Sequence, residues 1–419
     1  MPSTPSRPVA IRSARSTDRA DARRSMRVLV APSGFKECLS AEAVADAIAV
    51  GVRRVLPNVE LDIAPLVDGG EGSAATMATA SGGRLVDVRV TGPVGEPVDS
   101  HFAILGDGRT ALVEMAAAAG LRLVPRDRRD PGFTTSTGVG ELIRAALDHG
   151  CERIIVGCGD SGICDGGAGA LRALGAELRD EHGVPVAQGG AALLQATALD
   201  LSGLDPRLTG VTIEVAGNMH NILTGPRGVA RVFGPQKGAT PDQVEQLADA
   251  MDHWAALLHE VSGVDLALLP GGGASGGLGA GLAGGLGAQL RSRFDVLLGH
   301  VRLDERLAAA DLVITAEGSV DAQTPKGKIP AEVGRRAKLL GRPVVALAGT
   351  IGAGAGAVHE VGIDAVAGIL AGPIKLGDAL DRGAQLLADG AERALRLVLV
   401  GMTLGTEGAA AGSTGDMAA

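Results

Sequence analysis

Aromatic residues are nearly missing from this chain: five Phe, one Trp and no Tyr in 419 residues. Proteins that bind single-stranded nucleic acid by stacking need aromatic platforms, so that class is disfavoured. Cysteine is also scarce. Cys38, Cys151, Cys158 and Cys164 form no C-x-x-C pair, and the eight His show no metal-ligand spacing. This pattern suits reduced thiols in a cytoplasmic protein rather than a disulfide scaffold or a zinc module. No apolar run reaches the roughly 18 uninterrupted residues of a membrane span, so no membrane partner is expected. Lysine is rare, at six (36, 237, 326, 328, 338 and 375) against 33 Arg. The net charge of −9 argues against a polyanionic partner such as DNA.

Glycine and alanine are abundant, at 64 and 69 residues. Glycine keeps no three-residue period, which excludes collagen. With 46% hydrophobic and 21% charged residues, the chain is foldable rather than disordered. Its length predicts two domains. Residues 1–25 hold six Arg and no apolar stretch, so they read as a disordered N-terminal extension and not as a secretory signal; a start at Met26 is an alternative.

From 26 onward, strand and helix signals alternate. A strand at 27–32 leads to a helix capped by Ser40, with Ala41, Ala45, Ile48 and Val52 on one face. A strand at 60–65 ends in Val67-Asp68-Gly69-Gly70-Glu71-Gly72, and a helix follows to about 80. This order predicts a parallel sheet. Residues 84–115 read instead as hairpin strands (84–90, 99–105, 110–115). The strand–helix order resumes with helix 138–149, strand 153–158, helix 167–175, strand 211–216 and helix 241–261. Residues 271–287 hold ten Gly, consistent with a linker or a closely packed helix. Strand 311–316, helix 330–340, strands 343–348 and 364–369 and helix 376–399 follow. The Gly- and Ala-rich end, 405–419, reads as a disordered tail.

Strand-to-helix loops of a parallel sheet gather at its carboxyl edge, where ligands bind. Five of these loops combine Gly with Lys, carboxylates or amides: 33–40 (Lys36, Glu37), 67–73 (Asp68, Glu71), 159–167 (Asp160, Asp165), 217–238 (Asn218, Asn221, Lys237) and 316–328 (Glu317, Asp321, Lys326, Lys328). Glycine lets backbone N–H groups approach an anion, lysine supplies a point charge for phosphate, and carboxylates hold Mg²⁺ or accept a proton. This is equipment for phosphoryl transfer. No Walker A, dinucleotide-binding or protein-kinase motif is present.

The same loops give the chain a recognisable likeness. It resembles the type-1 glycerate kinases from about 26 to 404. The likeness is carried by APSGFKECLSA at 31–41, VDGGEG at 67–72, TTSTGVGELIRAALDHG at 134–150, CDGGAGALRALGA at 164–176, NILTGPRGVARVFGPQKGA at 221–239, GGLGAGL at 276–282 and DLVITAEGSVDAQTPKGKIP at 311–330. The resemblance implies an α/β fold of two α/β domains. One is a flavodoxin-like parallel-sheet domain (26–95 and 290–404), the other an α/β domain inserted into it (96–289), with the active site in the interdomain cleft. It also implies transfer of the γ-phosphate of ATP, with Mg²⁺, to a hydroxyl of a small molecule. On the matched positions, Asp165, Asp321 and Lys36 are expected to be catalytic. Lys237, Lys328, Gly276, Gly277 and Glu317 are expected to bind cofactor, and Asp68, Glu71, Ser161, Asn218 and Ser319 substrate. Asp68 and Asp321 are expected to hold the metal. A monomer or homodimer is expected.

The departures from the family pattern share a direction. Ser33 and Gly34 stand where the family has Asp and Ser, Asn218 where it has Asp, and Ser319 where it has Arg. Losing a cation and carboxylates from a site built for a small hydroxy acid predicts an altered acceptor pocket. The resulting expectation is a kinase for a polyol-type acceptor other than glycerate, such as a cyclitol or sugar phosphate. The alternatives are a D-glycerate 2-kinase that tolerates loop variation and an inactive paralogue acting as a binding protein.

Overall fold

The structure, a computed structural model, describes residues 26–35 and 38–412, with side chains to 404. The expected extension at 1–25, the end of the expected tail at 413–419, and Lys36 with Glu37 lie outside the described residues.

Thirteen strands are described: β1 (Arg27–Val30), β2 (Glu60–Ile63), β3 (Arg84–Thr91), β4 (Pro97–Ile104), β5 (Thr110–Glu114), β6 (Arg153–Gly157), β7 (Glu177–Arg179), β8 (Ala198–Asp200), β9 (Thr212–Gly217), β10 (Gln289–Ser292), β11 (Leu312–Val320), β12 (Val344–Ile351) and β13 (Ala365–Gly368). They build a five-stranded sheet, β13-β12-β11-β1-β2, and a six-stranded sheet, β10-β9-β6-β5-β4-β3. The first is parallel throughout. The second is parallel from β10 to β5 and antiparallel from β5 to β3. The hairpin signal at 84–115 thus corresponds to the antiparallel end of a mixed sheet. β3 pairs with β4 from Arg84 to Thr91, so the strands of the second sheet run from β3 to β10. The small β7–β8 ribbon stands apart.

Burial follows from covering both faces of each sheet. Val28, Leu29 and Val30 of β1 are fully buried, as a strand with helices on both sides requires. One outer layer of the first sheet is the helix Ala41–Val55, whose N-cap Ser40 accepts the Ala43 N–H, packed against the helix Gly383–Gly412. Val44, Ile48 and Val52 join Leu387 and Leu395 in that core. Between the sheets lies a shared core. Leu29, Val313 and Ala346 face Leu112, Ile155 and Ala216, with Met77, Leu297 and Leu307 from intervening helices among them. The two sheets are therefore joined by buried apolar surface as well as by loops.

Several expectations change. Of the two readings of 271–287 the closely packed helix holds, with Leu278 and Leu282 buried, but positive φ at Ser275, Gly276 and Gly277 breaks its first turn. Helix 376–399 is two helices, Leu376–Asp381 and Gly383–Gly412, the second running past the expected end of order at 404. Strand β11 extends to Val320, carrying Glu317 and Ser319 on the strand itself rather than in a loop. The sequence reading misses β7, β8, β10 and the helices Arg293–His300 and Leu303–Ala309, which are too short to show a period.

Candidate functional site

The two sheets meet at their carboxyl edges through bare backbone. The turn after β2 carries Gly69 and Gly70, and the turn after β6 carries Gly159. A Cβ on Gly159 would lie 2.6 Å from the Gly70 Cα, and one on Gly69 would lie 3.1 Å from the Cys158 nitrogen. Any side chain there would push the turns apart. Their closeness lets Asp160 reach across, its Oδ2 accepting the Glu71 N–H at 3.2 Å. Asp160 adopts φ +50°, a left-handed conformation unusual for a non-glycine residue. Asp68 Oδ1 accepts the Gly70 N–H at 3.1 Å. A Cβ on Gly70 would meet both Asp160 Oδ2 (2.5 Å) and Asp68 Oδ1 (3.1 Å), so two carboxylates converge over this glycine. Glu71 faces outward and pairs with Arg122 at 2.9 Å.

Beneath this turn lies Glu114, at the end of β5 and only 1% exposed. Its carboxylate accepts the N–H groups of Gly72 and Ala74 at 3.1 Å each and so caps the helix Ser73–Ser81. Burial raises its pKa to about 7 against the pull of those two donors.

The facing wall comes from the end of β11 and the loop after it. Lys328 Nζ lies 3.6 Å from Glu317 and 3.8 Å from Asp321, and donates to the Ser319 carbonyl at 3.0 Å. The Ser319 hydroxyl donates to Asp321 at 3.1 Å, and the Gln323 N–H does so at 2.8 Å. Burial alone would push the Asp321 carboxyl up. The Gln323 N–H, the Lys328 cation, the Ser319 hydroxyl and the Thr324 N–H together hold it below the ordinary Asp value. Asp321 is thus ionised at neutral pH, and its side chain stays 30% exposed. Arg293, just after β10, joins the two walls. It lies 3.2 Å from Asp68 and donates to the Gly327 carbonyl. A cavity of about 300 Å³ opens beside it, lined among others by Asn218, His220, Arg293, Lys326 and Arg335. Asn218 accepts the His220 N–H at 3.0 Å, which fixes its loop.

The structure therefore brings Asp68, Glu317, Ser319, Asp321 and Lys328 to two facing walls, with Asn218 in the cavity lining. It seals others away. Asp165 is 1% exposed and accepts four bonds: from the Ser136 N–H (2.7 Å) and hydroxyl (2.8 Å), and from the Gly167 and Gly169 N–H groups (3.2 Å each). Burial raises its pKa against those donors. A carboxylate saturated in this way organises two loops and turns no open side outward in this structure. Lys237 is 2% exposed, its ammonium donating to the Ser161 hydroxyl (2.9 Å) and the Ile163 carbonyl (2.6 Å). Burial lowers its pKa. Lys237 thus holds Ser161 and the 159–167 loop from within. Gly276 and Gly277 are buried, and a Cβ on Gly276 would lie 2.0 Å from the Ile163 carbonyl. Their glycine character is accounted for by backbone packing on the same loop. Of the expected metal pair, Asp68 lies 3.2 Å from Arg293 and Asp321 lies 3.8 Å from Lys328.

Glu114 and Arg293 were missing from the expected site, and Asp160 was placed in its loop without a role. Glu114 ends a hairpin strand, and Asp160 looks like one more turn residue. Arg293 follows a strand too short to read. Only the crossing of two chain segments distant in sequence gives them a place.

Comparison with known proteins adds a second line of evidence. The model of the glycerate kinase family matches residues 28–399. The chain is 45% identical to "Glycerate kinase" of Bacillus subtilis (strain 168), over 86% of this chain and 95% of that one. It is 42% identical to "Glycerate 2-kinase" of Escherichia coli (strain K12), over 92% of this chain and all of that one. A crystal structure from Salmonella typhimurium LT2, bearing the provisional name glycerate kinase 2, superposes with a TM-score of 0.79 at 45% identity, covering 91% of this chain and all of that one. These likenesses overturn the expectation of an acceptor other than glycerate. The loop departures behind it are absorbed locally: the Ser33 hydroxyl donates to the Ala316 carbonyl at 2.9 Å, and Ser319 turns to Asp321.

Proposed function

The chain belongs to the glycerate kinase family and is a phosphotransferase with an alcohol group as acceptor, and from that premise we propose that it phosphorylates D-glycerate, at the 2-hydroxyl, using ATP and Mg²⁺. The observation that carries this reading is the likeness to chains named glycerate kinases over most of the sequence. The geometry supports it with a partly open carboxylate–lysine cluster beside a cationic cavity.

The residues present suit the implied groups. Mg²⁺ is commonly held by one or two carboxylates together with substrate phosphates, and Asp68 and Asp160 converge over Gly70. When bound, the metal–nucleotide supplies an activated γ-phosphoryl group. Lys328, tethered to the Ser319 carbonyl, presents a cation for phosphate oxygens. Asp321 is ionised and reachable, so it orients the acceptor hydroxyl and receives its proton. The glycine contact between the β2 and β6 turns keeps the two walls in register, and such positioning is most of what phosphoryl transfer asks of a protein.

The test is ADP release from purified protein with Mg²⁺–ATP and D-glycerate, with the phosphate position read by ³¹P NMR. Product bearing phosphate on the 2-hydroxyl is expected. No ADP release with D-glycerate overturns the reading, and phosphate on the 3-hydroxyl overturns its regiochemistry.

A further inference from the structure

A small hydroxy acid is held by its carboxylate, which in a protein site calls for a fixed cation. Position 319, where the family resemblance implies arginine, is serine here, and its hydroxyl is turned to Asp321 at 3.1 Å. A different cation lines the cavity beside the loop that follows position 319. Arg293 leaves the second sheet just after β10 and reaches toward the first, its side chain 14% exposed. Three contacts set its plane: Asp68 at 3.2 Å, the Gly327 carbonyl, and the Phe294 ring 5.0 Å below. A guanidinium has five N–H donors, and among the described residues the polar contacts of Arg293 are those two oxygens. Donors remain for a carboxylate, and the side chain is already ordered, which lowers the entropy cost of binding.

The surroundings point the same way. Arg335 and Lys326 line the same cavity of about 300 Å³, and its lining carboxylate, Glu332, is already engaged by Arg336 at 2.7 Å and Arg335 at 3.5 Å. The cavity is therefore cationic. Arg293 is also tied to the segment that anchors position 319, because it binds Gly327 while the adjacent Lys328 binds the Ser319 carbonyl.

We propose that Arg293 grips the acceptor's carboxylate, a cation delivered from the end of the second sheet. The inference rests on the glycerate reading. It assigns Arg293 to substrate selection: the arginine separates glycerate from an uncharged polyol carrying the same hydroxyls.

The experiment compares wild type, Arg293→Ala and Arg293→Lys with D-glycerate and with glycerol, reading KM and kcat for each acceptor and KM for ATP. In Arg293→Ala, KM for glycerate is expected to rise about 30-fold or more, with KM for ATP within about twofold. Preference for glycerate over glycerol is expected to collapse. Arg293→Lys is expected to fall between, because lysine keeps the charge but not the bidentate fork. Added guanidinium ion at non-denaturing concentration is expected to recover part of the glycerate activity of Arg293→Ala, which a purely structural role would not allow. If Arg293→Ala does not fold, judged by its thermal melt, Arg293→Lys carries the test alone. An unchanged KM for glycerate in the folded variant overturns the inference and leaves the glycerate reading standing. No turnover of glycerate by wild type overturns both.

Discussion

Two carboxylate–lysine groups in this chain look alike in sequence and differ in space. Asp165 and Lys237 lie in one, Asp321 and Lys328 in the other, each within a glycine-rich segment matching the family pattern. The first is sealed: Asp165 accepts four hydrogen bonds and both side chains are almost fully buried. The second is open: Lys328 stands 3.6–3.8 Å from its acidic neighbours, with about a third of each carboxylate or less in contact with solvent. Full satisfaction leaves a group nothing to offer a ligand, while loose pairing leaves donors and acceptors to redirect. Retention of a motif residue therefore does not say whether it touches substrate.

Mutation separates the two groups most sharply at Asp165. Replacing it by Ala strands the Ser136, Gly167 and Gly169 donors in the interior. A loss of about 3–5 kcal/mol in unfolding free energy, measured by urea titration, is expected. A loss under about 1 kcal/mol would mean that the sealed group is not structural.

The open group should show the reverse. Asp321→Asn is expected to lower kcat by about a hundredfold or more while shifting unfolding free energy by about 1 kcal/mol or less. A near-normal rate removes Asp321 from proton transfer and shifts attention to Glu317, 3.6 Å from the same lysine.

Glu114 provides an intermediate case with the smallest effect. It is buried like Asp165 but has two donors instead of four, and its pKa rises from 4.5 to about 7. Between those values the folded chain holds more protons at this site than the unfolded chain, so its contribution to stability is present below pH 4.5 and is lost as pH rises toward 7. Glu114→Gln should flatten the fall in stability across that window, by at most about 1.4 kcal/mol per pH unit. An unchanged slope in urea titrations at several pH values would place the folded-state pKa near its ordinary value.

Much of the fold was legible because its signals are local. Ser40 caps its helix as its side-chain chemistry predicts, and the buried run Val28–Val30 reads directly as a strand. The site was legible only as a set of loops. Asp68, Ser319, Asp321 and Lys328 were found because glycine-rich turns after strands mark the ligand edge of a parallel sheet. Arg293 and Glu114 escaped, and Asp160 was read only as a loop carboxylate, because each acts across a junction between the two sheets, which leaves no period or spacing in the chain.

By itself, then, the sequence pointed to a parallel α/β architecture and to glycine-rich loops suited to phosphate, since hydrophobic period and turn chemistry are written along the chain, and the family resemblance narrowed this to a kinase. It pointed away from glycerate by counting lost side chains. Tertiary structure decided which charged groups are spent on the protein and which stay available, because burial and hydrogen-bond saturation depend on segments far apart in sequence. It also tied Arg293 to the loop that follows Ser319, through the Gly327 carbonyl. Charge in a cavity is set by every wall that faces it, not by the one loop in which a motif is read.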